Sequence, residues 1–296
     1  MLCYAFAQMT EDKKKGVLYV VATPIGNLED ITHRAIRILK EANLIACEDT
    51  RQTRKLLDHY GISTPMVSYH EHNEAARAEE LVHKLEEGIN IAQVSDAGMP
   101  GISDPGYRVV KLAIEHGILV VPVPGASALI TALAGGGLPT DAFEFHGFLP
   151  PKSGQRRTML ESFRRVTHTV VVYEAPHRIR EALEDIAAVL GPERPVVIAR
   201  ELTKIHEEFI RGTAADVLSQ LQERELKGEI TLLIGAGESR TEPADFKDLS
   251  VRLREIMKEQ KLDEKAALKV LAKERGLSKS EAYRELQRTR KPKLRG

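Results

Sequence analysis

Two short segments in the second half of the chain concentrate ionisable side chains. YEAPHRI (173–179) brings Glu174, His177 and Arg178 together after an apolar run. RELTKIHEE (200–208) places Arg200, Glu201, Lys204, His206 and Glu207 around the turn between two predicted strands. Carboxylates, imidazoles and amines at such positions can transfer protons or balance charge in a reaction. They can equally form ion pairs between neighbouring strands, and the sequence alone leaves both interpretations open.

Three loops rich in Gly and Pro each follow an apolar run and precede a helical pattern. They are TPIGNLED (23–30), SDAGMPGISDPG (95–106) and PVPGASA (122–128). In open α/β sheets, ligands bind beyond the carboxyl ends of the strands, where such loops let the backbone approach closely. Each loop could also be an ordinary turn. Together the three loops outline one crevice.

Several side chains in these loops have more than one predicted role. Asn27 or Asp30 could cap the helix after the first loop, and Ser127 could cap the one after the third. Asp96 and Asp104 could accept hydrogen bonds from a ligand. Asp104 is also expected to cap a helix that begins at the following proline, because Pro is favoured in a first helical turn.

Several common catalytic motifs are absent from the sequence. It contains no dinucleotide fingerprint G-x-G-x-x-G after the first strand, no phosphate-binding loop and no G-x-S-x-G elbow. The histidines at 59, 70 and 72 match no standard metal-ligand spacing. No metal site is therefore predicted.

Basic residues are concentrated in two segments of a chain whose formal net charge is zero. Residues 152–165 hold five basic side chains against one acidic one, and residues 284–296 hold six against one. Such segments can be solvated surface, but they also suit phosphate contacts. The predicted RNA-binding residues are Arg156, Arg157, Arg164, Arg165, Arg288, Arg290, Lys291 and Lys293. With 5% aromatic residues and no Trp, a broad stacking platform is not expected.

Short apolar runs alternate with helical patterns over the first 125 residues. The runs 17–23, 43–49, 89–96 and 118–124 are nearly continuous, as expected of strands covered on both faces. The patterns between them predict helices at 31–42, 74–87 and 107–117. These alternations predict an α/β domain with a largely parallel sheet.

The second half is predicted to be α/β with a mixed sheet. VVIARE and HEEFIRG follow each other too closely for a helix, so they are expected to pair antiparallel. The glycine-rich stretch 132–143 is interpreted as a boundary or hinge. After a polar linker, three helical patterns between 249 and 286 indicate a small helical extension. The predicted domains are a disordered N-terminal extension at 1–15, α/β domains at 16–125 and 126–237, and a linker with a basic helical extension at 238–296.

Composition narrows the class of protein. The chain has 296 residues with 42% hydrophobic and 29% charged side chains, enough to build a core. Its two cysteines provide no disulfide framework, which favours a reduced, cytoplasmic setting. No apolar run reaches the roughly 20 residues that span a bilayer. The start MLCYAFAQMT is a poor signal peptide, and either Met1 or Met9 could be the native start.

The ordered motifs resemble those of one family. TPIGNLEDIT, EDTRQT, SDAGMPGISDPG, VPGASA, FHGFLP, YEAPHRI and RELTKIHEE are similar, in order, to motifs of the ribosomal RNA small subunit methyltransferase I family. The resemblance extends from about residue 16 to 237 and includes a helical tail. That family belongs to the tetrapyrrole-methylase (class III methyltransferase) superfamily. Tetrapyrrole-modifying relatives carry glycine–proline–glycine where this chain has TPIGN, a departure typical of the RNA-modifying branch.

This resemblance implies a fold, a cofactor and partners. The implied fold has two α/β domains with S-adenosylmethionine in the cleft between them, and the implied assembly is a homodimer. The implied reaction is 2′-O-methylation of a cytidine in the decoding centre of 16S ribosomal RNA in the small ribosomal subunit. Matching cofactor-loop positions are Pro24, Asp96, Ala97, Gly98, Ser103, Ala126 and Ser127. Tyr173, Leu202 and Thr203 are expected to complete the cleft.

The implied chemistry is an in-line attack of a ribose oxygen on a sulfonium methyl. Positioning supplies most of the catalysis, and a base or nearby cation helps because a ribose hydroxyl is a weak acid. Glu174, Glu201 and Lys204 are the candidate catalytic residues, because they lie at strand ends. Two alternatives remain open. One is a small-molecule methyltransferase of the same fold acting on a tetrapyrrole, and the other is a non-catalytic RNA-binding protein that responds to the cofactor.

Overall fold

The first half of the chain forms a five-stranded sheet in which neighbouring strands run parallel. The computed structural model describes residues 15–221, 224–237, 249–260, 262–274 and 286. The strands are β1 (Val17–Val21), β2 (Leu44–Cys47), β3 (Met66–Ser68), β4 (Ile91–Val94) and β5 (Leu119–Val123), in the order β3-β2-β4-β1-β5. Every pairing between them is parallel. The predicted parallel sheet is therefore confirmed.

Helices cover both faces of this sheet. They are α1 (His33–Glu41), α2 (Thr50–His59), α3 (Glu74–Glu86) and α4 (Tyr107–Glu115). Leu39 and Leu57 pack with Ile45 in a core on one face, and Leu81 packs with Ile91 in a core on the other. Burial on both faces explains why these strands are almost continuously apolar.

The second half forms a mixed sheet. Its strands are β6 (Phe143–Phe148), β7 (Thr169–Glu174), β8 (Pro195–Arg200), β9 (Glu208–Thr213) and β10 (Ile230–Ile234), in the order β6-β7-β10-β8-β9. Strand β6 pairs parallel with β7, and the remaining pairings are antiparallel. The predicted antiparallel pairing of β8 with β9 is confirmed. Helices α6 (Ser153–Ser162), α7 (Ile179–Leu190) and α8 (Ala214–Gln220) complete this half.

The glycine-rich stretch 132–143 begins inside a helix. Helix α5 (Ala128–Gly136) contains its first five residues, and Ser127 caps the helix as predicted. Gly137 ends the helix with left-handed backbone, and the remaining residues lead into β6. A β-carbon on Gly135 would collide with the Phe209 ring, and one on Gly136 would collide with Leu233. The glycines therefore let α5 pack tightly against the second sheet. The chain up to Gly237 forms one compact unit that contains both sheets.

Residues 238–296 form a second compact unit. Helices α9 (Leu249–Gln260) and α10 (Glu264–Glu274) pack through an apolar cluster that includes Leu253, Ile256 and Leu271. These confirm the predicted C-terminal helices. The third predicted helix lies outside the described residues except for Leu286, which joins the same cluster. The predicted N-terminal extension also lies outside them, apart from Lys15.

Candidate active site

The three predicted loops follow three adjacent strands of the first sheet. Strands β4, β1 and β5 are neighbours, so the loops after them meet at one edge. The backbone N–H of Thr23 donates to the carbonyl of Gly98 at 2.9 Å, and that of Gly98 donates back at 3.1 Å. The Thr23 hydroxyl also donates to the Ser95 carbonyl at 3.1 Å. These bonds hold the first and second loops together as one surface.

The second sheet supplies the opposite wall of a cavity of about 380 Å³. From the first half come Ile25, residues 97–99 and 102–104, and two residues around the start of α5. From the second half come Phe148, residues 173–176, Ala199, Leu202 and residues 228–231. A volume of this size suits a cofactor or a small substrate.

Six of the ten predicted cofactor residues line this cavity, namely Ala97, Gly98, Ser103, Ser127, Tyr173 and Leu202. Pro24 and Asp96 line a second, adjoining cavity of about 430 Å³, which shares Ile25, Ala97 and Glu229 with the first. Ala126 and Thr203, though described, line neither cavity. The Ala126 carbonyl oxygen lies only 3.7 Å from where a β-carbon on Gly98 would stand.

Within the described residues, three other than glycine have left-handed backbone, and all three belong to loops at this site. Ser103 has φ 62°, Glu201 has φ 51° and Thr203 has φ 67°. Strained conformations of this kind cost about 1–3 kcal/mol and concentrate at ligand-binding positions. Glu207 helps to fix the second of these loops, since its carboxylate accepts from the Thr203 backbone N–H at 2.6 Å.

The cavity wall is acidic. Burial raises the pKa of Asp104 to about 6, and the carboxylates of Glu48 and Asp96 push it in the same direction. Burial also raises the pKa of Tyr173, and the charge of Asp104 adds to this effect. Asp104, Glu174 and Glu229 line the cavity, and none of the described lining residues is Lys, Arg or His. The wall is therefore complementary to a cationic ligand.

Asp104 does not cap the following helix, so that prediction is wrong. Helix α4 begins at Tyr107, and its N-cap is Gly106, which has no capping side chain. The Gly106 backbone N–H donates to Glu74 at 3.1 Å. Asp104 instead lines the cavity, because the loop makes an additional turn before the helix begins.

Glu174 is a buried carboxylate at the end of β7, 2% exposed, that lines the cavity. Its Oε1 accepts from Arg178 at 2.6 Å and from the Ala175 backbone N–H at 2.7 Å. Its Oε2 has no partner among the described residues. A buried oxygen without a hydrogen bond is costly, so this atom is a natural acceptor for a bound molecule.

Glu201 and Lys204 form an ion-paired group beside the cavity. Lys204 Nζ lies 2.8 Å from Glu201 Oε1 and 3.2 Å from Glu229 Oε2. Burial lowers the pKa of Lys204, but the hydrogen bonds to both carboxylates outweigh it and leave that pKa raised. The same bond with Lys204 lowers the pKa of Glu201. Lys204 is therefore a cation at neutral pH, and its stem covers Gly26, where a β-carbon would collide with it.

The basic segment at 152–165 includes one residue that cannot contact RNA. Arg156 is 1% exposed, and its Nε pairs with Asp185 Oδ2 at 2.7 Å. Its prediction as an RNA-binding residue is therefore wrong, because a fully buried guanidinium cannot reach a phosphate. Arg157, Arg164 and Arg165 are exposed. Arg288, Arg290, Lys291 and Lys293 lie outside the described residues.

Two further classes of site are not found within the part of the chain that the structure describes. No group of three or more His, Cys, Asp or Glu side chains there is arranged to hold a metal ion. His70 is instead 3.2 Å from the Asn73 side chain. Among the same residues, no helix combines the length and apolar character needed to cross a bilayer.

The sequence interpretation missed much of the second-half wall. Phe148, at the end of β6, and Gly228 to Thr231, at the start of β10, were not singled out. The motif FHGFLP contained Phe148, but nothing local marked its ring as facing a cavity. Gly228 has φ 88°, and a β-carbon there would collide with Glu201. A glycine directly before a buried strand was the available signal for that close approach.

One family of known proteins matches most of the chain. The family model described as Tetrapyrrole (Corrin/Porphyrin) Methylases matches residues 17–218. A protein named ribosomal RNA small subunit methyltransferase I from Halalkalibacterium halodurans is 50% identical over 91% of this chain and 94% of its own length. Proteins of the same name from Synechocystis and Escherichia coli O157:H7 are 47% and 49% identical, over 90% and 79% of this chain and 96% and 83% of their own lengths.

Solved structures share the fold at low sequence identity. A uroporphyrin-III C-methyltransferase from Thermus thermophilus superposes with a TM-score of 0.53 at 20% identity, covering 75% of this chain and 94% of that one. A diphthine synthase superposes with a TM-score of 0.61 at 14% identity, covering 75% and 90%. At such identities the likeness concerns the fold alone.

Proposed function

The chain belongs to the tetrapyrrole (corrin/porphyrin) methylase family, and on that premise we propose that it transfers a methyl group from S-adenosylmethionine to 16S ribosomal RNA. The proposed acceptor is the 2′-oxygen of a cytidine in the decoding centre of the small subunit. The observation that carries the proposal is that predicted cofactor residues from both halves of the chain line one cavity of about 380 Å³. Relatives named as ribosomal RNA methyltransferases, near 50% identical over most of the chain, support the choice of substrate.

The chemistry of the cavity fits the cofactor. Bound S-adenosylmethionine would supply an electrophilic methyl group on a sulfonium, so the donor is a cation. Three carboxylates line the cavity, and Glu174 offers a buried oxygen without a partner. The left-handed backbone at Gly98 (φ 79°) leaves that part of the wall without a side chain. Asp104, Ser103 and Ser127 would hold the donor through hydrogen bonds and charge.

The residues of this chain would act mainly by positioning. The walls exclude water and bring the two reacting groups together, which is the main source of rate in a transfer of this kind. Among the three catalytic candidates, Glu174 is proposed as the proton acceptor for the ribose hydroxyl, because its Oε2 is unpartnered and lines the cavity. Lys204, which lies beside the cavity and is not part of its lining, is proposed as the cation that stabilises the developing negative charge. Glu201 is proposed to hold Lys204 in place through their 2.8 Å pair.

A homodimer belongs to the same proposal. Apolar side chains are exposed on consecutive elements of the first half, namely Ile114 on α4, Leu119 on β5 and Ile130 on α5. Strand β5 is also an edge of its sheet, and proteins seldom leave an apolar edge unprotected. We expect light scattering to give twice the mass of the chain, and a monomer at micromolar concentration would contradict this part. The proposed location is the cytoplasm, where small ribosomal subunits are found.

Labelled S-adenosylmethionine provides the test. It would be incubated with small subunits that lack the modification, with naked 16S RNA as the second substrate, and the label would be mapped by nuclease digestion. We expect label on one cytidine ribose in the decoding region. No label on either RNA, with the cofactor still bound, would overturn the proposal and favour the tetrapyrrole-type or the non-catalytic alternative.

A further inference from the structure

Two large apolar side chains lie half-exposed at the mouth of the cavity. Ile102, in the loop after β4, is 46% exposed, and Phe148, at the end of β6, is 56% exposed. Both line the cavity. Ligand sites are commonly lined by apolar and aromatic side chains, because such surfaces gain from being covered by a ligand. We call Ile102 and Phe148 the rim pair.

An irregularity in β6 places the Phe148 ring against Tyr173 in the wall of the cavity. Strand alternation would place Phe145 and Phe148 on opposite faces, but the register with β7 shifts between these two residues. As a result both rings contact Tyr173, with centroid distances of 5.0 and 5.5 Å. Gly147 (φ 64°), directly before Phe148, provides the left-handed backbone of this irregularity. Bulges of this kind redirect a side chain next to a functional site.

Ile102, the other member of the rim pair, also lies next to a residue with left-handed backbone. Ser103, directly after Ile102, also has left-handed backbone, with φ 62°. A β-carbon on Gly147 would stand 3.4 Å from the Ser103 hydroxyl oxygen, so the Ser103 side chain lies close to the Gly147 backbone at this point. Ile102 and Phe148 are the chain neighbours of the two residues in this approach. The rim pair therefore flanks the place where the two halves of the chain meet.

We propose that the rim pair receives the nucleobase whose ribose is methylated, with the base stacked against Phe148 and covered by Ile102. The inference rests on the proposed function and names the contact that admits the substrate. A nucleotide in folded RNA must leave its stack to reach a reactive centre inside a cavity. Aromatic side chains replace the lost stacking, since every base has a flat π-face.

The segment that follows Phe148 carries charge that agrees with an RNA occupant. Lys152 is exposed and follows Phe148 by four residues, immediately before α6. Arg157, on α6, is also exposed, although its Nε pairs with Asp185 at 2.6 Å. An exposed cation close in the chain to an aromatic contact suits the phosphates that flank an extruded base. The cavity behind the rim is acidic and would repel phosphates, so the backbone stays outside while the nucleoside enters.

The absence of tryptophan from the sequence permits a site-specific test. Phe148→Trp places a single fluorescent indole at the rim. Phe143→Trp is the matched control, because Phe143 is 41% exposed on the same strand but is not among the residues that line the cavity. Each variant would be saturated with S-adenosylhomocysteine and titrated with small subunits that lack the modification. We expect quenching in Phe148→Trp and little change in Phe143→Trp. An equal response of the two variants, or no response in either, would overturn the inference.

Kinetics provides a second readout. We expect Phe148→Ala to raise the KM for the RNA substrate roughly tenfold to a hundredfold, with the KM for S-adenosylmethionine unchanged and with Phe148→Tyr close to wild type. Phe143→Ala should have no effect. An unchanged KM for RNA in Phe148→Ala would overturn the inference. If light scattering then also gave half the wild-type mass, Phe148 would be assigned to the contact with a second copy of the chain.

The two proposals can fail separately. Quenching in Phe148→Trp without any methyl transfer by the wild type would remove the proposed function and keep the base-binding rim pair. Methyl transfer by the wild type with no selective effect at Phe148 would remove the rim pair and keep the function.

Discussion

Asp104 allows a prediction of how the stability of the protein depends on pH, because burial disfavours the ionised form of its carboxyl group. Its pKa is raised from 3.8 to about 6 by burial and by neighbouring carboxylates. The folded protein therefore binds this proton more tightly than the unfolded chain does. The resulting stability is fully present below about pH 3.8 and is lost as the pH rises through about 6. Asp104→Asn is neutral at every pH, so it removes the cost of the charge.

The size of the effect follows from the shift. Two pKa units correspond to about 2.7 kcal/mol, and because Asp104 is only partly buried, solvent screening reduces this to about 1–2 kcal/mol. At pH 8 we expect Asp104→Asn to melt about 2–8 °C above the wild type, from a shift of roughly 2–4 °C per kcal/mol. Below about pH 4 the two melting temperatures should converge. Scanning calorimetry across this range measures both.

The same calorimetric assay has a control variant, and one of its results would refute the burial argument. Hydrogen bonds from Thr213 lower the pKa of Asp216 at the start of α8, so Asp216→Asn should destabilise the protein at pH 8. If Asp104→Asn destabilises the protein equally at pH 4 and pH 8, the burial argument is refuted. The ionised Asp104 also faces the proposed donor. We therefore expect the variant to lose more affinity for cationic S-adenosylmethionine than for S-adenosylhomocysteine, measured by titration calorimetry.

Two further predictions concern the buried charges of the second half. Glu174→Gln should lower the single-turnover rate constant for methyl transfer by about a hundredfold or more. The substitution removes the proposed proton acceptor while keeping the shape of the side chain. A rate constant equal to that of the wild type would exclude this role. Arg156→Ala should destabilise the protein by about 3–5 kcal/mol in denaturant titrations, because Asp185 loses its fully buried partner. Arg157→Ala should cost less than Arg156→Ala, because Arg157 is exposed although it also pairs with Asp185 at 2.6 Å, and the reverse order would contradict the assignment of Arg156 to the core.

Local sequence patterns were sufficient to predict four of the five strands of the first sheet and the loops at its edge, while the three-residue strand β3 and helix α2 were not predicted. Parallel strands buried on both faces give apolar runs that stand out without any knowledge of their partners. The loop after β4 needs glycine for its own backbone conformation, since Gly98 and Gly101 have positive φ. Gly26 and Gly125 instead leave room for close neighbours. All three loops, 23–30, 95–106 and 122–128, could still be recognised one at a time by their Gly and Pro content. Placing them in a single crevice required only that the strands lie in the same sheet.

Features that depend on distant partners could not be predicted in this way. Gly135 and Gly136 resemble a hinge until Phe209 and Leu233 pack against them. Arg156 resembles a surface cation until Asp185, 29 positions along the chain, accepts its bond. Phe148 faces the cavity only because β6 shifts its register against β7. In each case the deciding contact comes from another element, and no pattern along the chain encodes it.

A crystal structure of the protein with S-adenosylhomocysteine tests the central claim most directly. We predict density for the ligand in the 380 Å³ cavity, in contact with Gly98, Ser103, Tyr173 and Leu202. Glu174 Oε2 should lie beside the ligand but stay free of it, open to the ribose hydroxyl. Ligand density in the adjoining cavity beside Pro24 and Gln52, or on the outer surface, would contradict the account.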